Sequence, residues 1–366
     1  MASLSKKRPL RKMFTAFCIT IIAVLLIAGG GYAAYRNLVR PPDVAEYVMI
    51  PVPVTRATTA PDTREEDNQN NVYAVLDKPQ PDEEVTYEYL RFERRPLFYT
   101  VLIYGLDDGN NVDALFVAAF DGEAGQAYIV SIPRDTRVES TRGVGRSKLV
   151  ASYSAGRSGG RGHEGGIYQL KAEVATLIGF VPDFYMSVNY RAFTRIVDTL
   201  GGVSVFVPFH MMYNDPYQNL HINIPAGQQR LNGQQALNFA RFRQADEGFR
   251  GITDFQRASN QQILITSILN ELLSTPRNIT RIPELVRIYQ EHVTTNMSTL
   301  EMAWFVEQTP AMLGREVLTS HQLPMARTER QGWYEIPDPE GILEVVNSTI
   351  NPFTTDITLE MLRIVD

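Results

Sequence analysis

Apolar runs alternating with amphipathic stretches organise the middle of this chain. Leu97–Leu106 (LFYTVLIYGL), Asp113–Phe120 (DALFVAAF) and Ala127–Ile132 (AYIVSI) are nearly continuous in β-branched, aromatic and aliphatic residues. Such runs predict strands covered on both faces. Phe184–Tyr190 (FYMSVNY) and Val203–Pro208 (VSVFVP) add two more. Between them, 167–180 (IYQLKAEVATLIGF) and 190–202 (YRAFTRIVDTLGG) have helical spacing, the second closed by Gly201 and Gly202. Further helices are expected at 233–241, from Thr253 to about Leu273, and around 284–291 and 298–307. Strands alternating with helices predict an α/β protein: a three-layer α/β/α sandwich with a central mixed, mostly buried sheet.

The flanks differ. Met13–Tyr35 is an uncharged run preceded by Lys6, Lys7, Arg8, Arg11 and Lys12. About 20 apolar residues span a bilayer as a helix, and the basic cluster puts the amino terminus in the cytoplasm. The run is longer than a signal-peptide core, so a retained single-pass anchor at the cell membrane is preferred over a cleaved leader. The expected order is a basic tail (1–12), a transmembrane helix (13–35), a Pro- and acid-rich stalk (36–95), a catalytic domain (96–320) and an extension packed on it (321–366). A short strand is expected within the stalk, around Tyr47 to Val54. The tail after Gln322 carries no motif with recognisable chemistry.

Composition narrows the chemistry. With 366 residues and a net charge of −6, global charge gives no reason to expect a nucleic-acid partner, so any basic site is local. The single cysteine, Cys18, rules out an intramolecular disulfide and a cysteine metal site.

Charge gathers at strand ends, where ligands of doubly covered sheets bind. Asp107 and Asp108 follow the first strand, Asp113 opens the second, and Arg134 and Asp135 leave the third after Pro133. Turn chemistry explains Asp108, but an acid beside a buried run needs a partner or a cation. The stretch NFARFRQADEGFRGITDFQR (238–257) adds Arg241, Arg243, Arg250 and Arg257. Arg250 lies in a Gly-bounded loop and reads as solvated, and Asp254 as a helix-dipole partner. Arg257 and Gln261 share a helical face. Arginine forks hold phosphate oxygens bidentately. Two acids with several arginines fit Mg²⁺ plus phosphate, with an ion-pair network as the alternative.

SIPRDTRV, NYRAFTRIVDTLGGVSVFVP, LNGQQALNFARFRQADEG and TDFQRASNQQ resemble, in order and spacing, the signatures of the LytR-CpsA-Psr family over roughly Leu97 to Leu273. The resemblance implies an extracytoplasmic, Mg²⁺-dependent phosphotransferase. Such an enzyme moves a glycopolymer from a polyprenyl (undecaprenyl) pyrophosphate carrier onto peptidoglycan. Its implied acids and metal ligands fall on Asp107 and Asp113, with Arg134 and Arg257 also catalytic. Lys148, Arg241, Arg243 and Gln261 are the implied phosphate-binding positions. The chain departs from the family pattern at Asn111, Ala114, Val150 and Asn260. A non-catalytic polyprenyl-phosphate-binding regulatory module and a prenyl pyrophosphatase are the alternatives. An apolar groove for the lipid is expected, with the helices at 168–180 and 192–200 offering apolar faces.

Overall fold

The computed structural model describes residues 38–54, 86–107, 110–139, 146–218, 220–274, 281–312 and 317–364. The expected tail (1–12), membrane span (13–35) and Asp108 lie outside them. Among the described residues no helix is long and apolar enough to cross a membrane. By internal contacts the chain divides into a large unit, Val44–Asn296 with Thr309–Asp366, and a small one that holds Met297–Gln308 and the described part of Met1–Asp43. In the small unit Trp304 and Phe305 meet edge to face at 5.1 Å. Apart from the helix Thr299–Met312, most of which falls in the small unit, all that follows concerns the large unit.

An antiparallel strand pair opens it, β1 (Tyr47–Val54) against β2 (Thr86–Glu93). The stretch expected as a stalk therefore contributes to the domain, because Ile50, Val52 and Phe92 enter the main core. Next come β3 (Phe98–Leu106), β4 (Val112–Asp121), β5 (Gln126–Ser131), and the short pair β6 (Arg137–Glu139) and β7 (Arg146–Lys148). Helices α1 (Leu149–Gly156) and α2 (Gly162–Ile178) follow. They cross closely because a Cβ on Gly165 would stand 2.7 Å from the Gly156 carbonyl oxygen. The chain continues through β8 (Phe184–Val188), α3 (Tyr190–Thr199), β9 (Val203–Val207), β10 (Met211–Asp215), β11 (Leu220–Ile224), β12 (Gly227–Leu231) and α4 (Gly233–Arg241). It ends with α5 (Asp254–Ser274), α6 (Ile282–His292), β13 (Val293–Thr295), α7 (Thr299–Met312), β14 (Leu318–Gln322), β15 (Met325–Glu329), β16 (Tyr334–Pro337) and α8 (Pro339–Val345).

The central sheet has six strands in the order β13-β8-β3-β4-β5-β14. It is mixed: β3 runs parallel to β8 but antiparallel to β4, and β5 runs parallel to β14. Alternation sets its two faces. Leu102 and Tyr104 of β3, Leu115 and Val117 of β4 and Val130 of β5 point into a core with α2 residues Leu170, Val174 and Leu177. Ile342, Val346, Ile350 and Phe353 of the carboxyl tail close the same core. Opposite, Ile103, Gly105, Ala114 and Phe116 face Phe193 of α3, Leu237 of α4 and Leu264 of α5 across a cavity. A second apolar cluster joins α3, α4 and α5 to β9–β12. Two capping boxes fix α4 and α5. Asn232 accepts from Gln235 N at 2.9 Å while Gln235 accepts from Asn232 N at 3.0 Å. Thr253 and Gln256 exchange the same pair of bonds at 3.2 and 3.0 Å.

Candidate active site

Between β3 and β4, Asp107 is tied to Asn111. Its Oδ1 accepts from Asn111 N at 2.8 Å and its Oδ2 from Asn111 Nδ2 at 3.1 Å. The ladder then skips a residue: Gly105 pairs with Ala114 and Leu106 with Val112. Asp113 is the extra residue of a bulge, and bulges re-aim a side chain while leaving backbone groups unpaired. Here the Asp113 carbonyl accepts from Gln261 Nε2 at 3.1 Å. Its carboxylate accepts from Arg134 Nη1 at 2.7 Å and from the Tyr190 hydroxyl at 3.3 Å.

Arg134 is presented by a turn beyond Pro133, closed by Thr136 N to Pro133 O at 3.0 Å and Val150 N to Arg134 O at 2.8 Å. Arg257 sits in the first turn of α5 and is 6% exposed. It lies between two acids, with Nη2 at 2.7 Å from Asp254 and Nη1 at 3.7 Å from Asp113. Burial lowers its pKa, and Asp113 opposes that shift. Asp254 is far more than a helix-dipole partner, the role its position predicted. It also pairs with Arg134 at 3.5 Å and Arg243 at 3.0 Å. Arg241, the last residue of α4, stacks over the Tyr190 ring at 5.1 Å and meets no carboxylate among the described residues. Arg250 is exposed and lies over Phe209 at 5.3 Å.

Asp107, Asp113, Arg134, Arg241, Arg243 and Arg257 line one polar cavity of about 250 Å³, together with Tyr190, Tyr213, Gln244 and Leu220. Arg134 and the three arginines of the 238–257 stretch thus face one space with both acids. Lys148 does not line it; its ammonium pairs with Asp135 at 2.8 Å, and Asp135 lies 3.6 Å from Arg134 Nε. Gln261 does not line it either. It braces the bulge and lines a second, apolar cavity of about 110 Å³ that shares Asp113, Tyr190 and Arg241 with the first. Of the two helices expected to offer a lipid-facing surface, α3 lines this cavity through Phe193, whereas Leu170, Val174 and Leu177 of α2 are core.

Sequence reasoning missed Tyr190, Tyr213 and Gln244 as lining residues. Tyr190 had a signal, being the first helical residue after the cap Asn189, whose side chain accepts from Ala192 N at 2.8 Å. Burial first, then Asp113, raises the Tyr190 phenol's pKa, which keeps it a hydrogen-bond donor. Among the described residues no cluster of three His, Cys, Asp or Glu could hold a metal alone. Mg²⁺ is commonly held by one or two carboxylates plus substrate phosphates, and Asp107 and Asp113 on one cavity wall fit that donor set.

The profile of the LytR_cpsA_psr family matches residues 63–349. The polyisoprenyl-teichoic acid–peptidoglycan teichoic acid transferase TagU of Bacillus subtilis is 25% identical over 351 residues, covering 94% of this chain and 97% of TagU. The transferase of the same description called TagV, from the same organism, is 28% identical over 224 residues, 58% of this chain and 53% of TagV. The chain thus spans about half the length of TagV. The crystal structure of B. subtilis TagV shares its fold, with a TM-score of 0.56 at 23% identity, over 69% of this chain and 95% of that one.

Proposed function

The chain belongs to the LytR_cpsA_psr family, and on that premise we propose that it is a phosphotransferase. It moves a glycopolymer from a polyprenyl pyrophosphate carrier onto peptidoglycan and releases polyprenyl phosphate. The relatives' names support a glycopolymer substrate and a peptidoglycan acceptor. The observation that carries the reading is the shared cavity, where Arg134, Arg241, Arg243 and Arg257 surround a space closed by Asp107 and Asp113. An α/β/α layering holds it at the strand ends, and the uncharged run at 13–35 would carry it at the outer face of the cell membrane.

Phosphoryl transfer depends mostly on position and charge. An acceptor hydroxyl oxygen attacks the phosphorus that bears the glycan. The bond from that phosphorus to the bridging oxygen breaks, and polyprenyl phosphate leaves with the electron pair. Arg134, Arg241, Arg243 and Arg257 hold the two phosphates, and Arg241 has no carboxylate partner among the described residues to compete for it. The Asp113 oxygens are engaged by Arg134, Arg257 and Tyr190. Asp107, whose carboxylate the backbone and side-chain amides of Asn111 hold at the cavity, takes the hydroxyl proton. Mg²⁺, held by Asp107 and Asp113, would supply neutralising charge on the phosphate oxygens. The lipid enters the apolar cavity beside the shared wall of Asp113, Tyr190 and Arg241.

The test incubates the full chain with a prenyl-pyrophosphate-linked glycan, peptidoglycan and Mg²⁺. A glycan–phosphate–peptidoglycan adduct is expected, and Arg134→Ala should lower its rate on the order of 10²–10³-fold, the usual cost of one charge-stabilising donor. Phosphate release without adduct identifies a pyrophosphatase; retention of the lipid without turnover identifies a binding module. Unchanged transfer by Arg134→Ala overturns the site.

A further inference from the structure

A buried acid from the carboxyl-terminal hairpin stands behind the phosphate cavity, and the chemistry above makes no use of it. Glu335 of β16 is 6% exposed. Its amide donates to the Asp135 carbonyl at 3.0 Å, and an isolated bridge joins it to Thr136. Its Oε2 accepts from Thr328 Oγ1 of β15 at 2.9 Å. The preceding residue, Tyr334, places its ring 5.3 Å from the Lys148 ammonium. Lys148 pairs with Asp135, which reaches Arg134. A strand from the tail, expected to carry no chemistry, thus backs the arginine that holds Asp113.

The charge count gives this placement a consequence. Asp107, Asp113, Asp135, Asp254 and Glu335 stand against Arg134, Arg241, Arg243, Arg257 and Lys148. When all are ionised these acids and cations cancel, and a diphosphate entering without Mg²⁺ adds at least two negative charges. Burying excess like charge is costly, and the group that gives way is the acid least able to hold its own charge. Burial is the largest cause raising Glu335's pKa; Asp135 and Asp254 add to it, while the Thr328 hydroxyl and Lys148 oppose it. On the flanking strands Arg137 and Glu329 lie 3.5 Å apart and pair with each other.

We propose that Glu335 is a positioning residue of the phosphate cavity, acting through Asp135, Lys148 and Arg134, and that its carboxylate takes one proton from solvent as a diphosphate enters. This rests on the reading of the cavity as a diphosphate site. Once Glu335 is neutral, its repulsion of Asp135 and Asp254 is gone, and the cations paired with them can turn toward the phosphates.

The experiment is calorimetric titration of the full-length chain in detergent with farnesyl pyrophosphate, in buffers of different ionisation heat from pH 5 to 8. The wild type is expected to take up as much as one proton, with affinity falling up to about tenfold per pH unit where uptake is complete. Glu335→Gln should bind without that uptake and with a flatter pH profile. Thr328→Val removes a donor that favours the charged carboxylate, so it should move the uptake to higher pH, and it tests the idea without touching the acid. Equal uptake by wild type and Glu335→Gln, or no upward shift in Thr328→Val, overturns the proposal. A wild type that binds no diphosphate removes the cavity reading and this inference with it.

Discussion

The polar and apolar cavities of this domain share a wall, yet they obey opposite rules. In the polar one, lined by four arginines and two aspartates, three of the arginines are paired: Asp113 and, beside the lining, Asp254 each bridge guanidiniums from different elements. In the apolar one, Ile103, Phe116, Phe193, Leu264 and the other apolar lining residues have only van der Waals contact to offer away from the shared wall. The first site is held together by pairing and can exchange a partner for a phosphate. The second gains only when something fills it. Damage to the first should cost fold and activity together, whereas damage to the second should change which lipid is accepted and leave the fold alone.

The strongest test of that contrast is Arg257→Met. Breaking a buried pair by removing one partner typically costs about 3–5 kcal/mol, because the acids left behind are uncompensated. Arg257 serves both Asp113 and Asp254, and Arg134 and Arg243 remain to shield them in part. A loss of about 3 kcal/mol is therefore expected in denaturant unfolding, together with loss of transfer. A loss below about 1 kcal/mol, the scale of an exposed ion pair, would mean the network is solvated and the contrast false.

Ala114→Leu probes the other side with a smaller effect. Ala114 lines the apolar cavity beside Ile103 and Phe116, and a larger side chain there occupies the space. KM for a long-chain polyprenyl donor should rise about tenfold, in line with roughly 1–1.5 kcal/mol of lost apolar contact, while a short-chain donor is handled as before. The unfolding midpoint should hold. An equal penalty on both donors would place the lipid elsewhere.

What the sequence made legible follows from how local each signal was. The strand at 97–106 and the helix at 233–241 announce themselves by period and caps, and both form within a residue of their expected bounds. The arginines were legible as a group because phosphate chemistry asks for guanidiniums. The bulge at Asp113 was not, since it is a property of the β3–β4 register and not of the residues VDA. Asp254 read as a dipole partner because only the folded chain brings Arg134 and Arg243 to it. Gln261 looked like a ligand from its i,i+4 spacing to Arg257, whereas its amide spans to the Asp113 and Ala240 carbonyls at 3.1 and 3.4 Å. Glu335 lies far along the chain in a segment without motif, and strand β16 alone delivers it.

The finest test falls on the shared wall. Tyr190 faces both cavities, with its ring under Arg241 and its hydroxyl 3.3 Å from Asp113 Oδ2. Its two roles belong to different sides of the comparison, so two substitutions separate them. Tyr190→Phe keeps the platform for the guanidinium and removes one long hydrogen bond to a carboxylate. That bond is worth about 1 kcal/mol, or roughly a fivefold fall in kcat/KM. Tyr190→Ala removes the ring as well, freeing Arg241 from its stacking partner and opening the apolar cavity to the polar one. Its loss should exceed that of the Phe variant and should grow with donor chain length. Should the two variants lose the same activity on long and short donors alike, the wall is only a hydroxyl, and the cavities do not communicate through it.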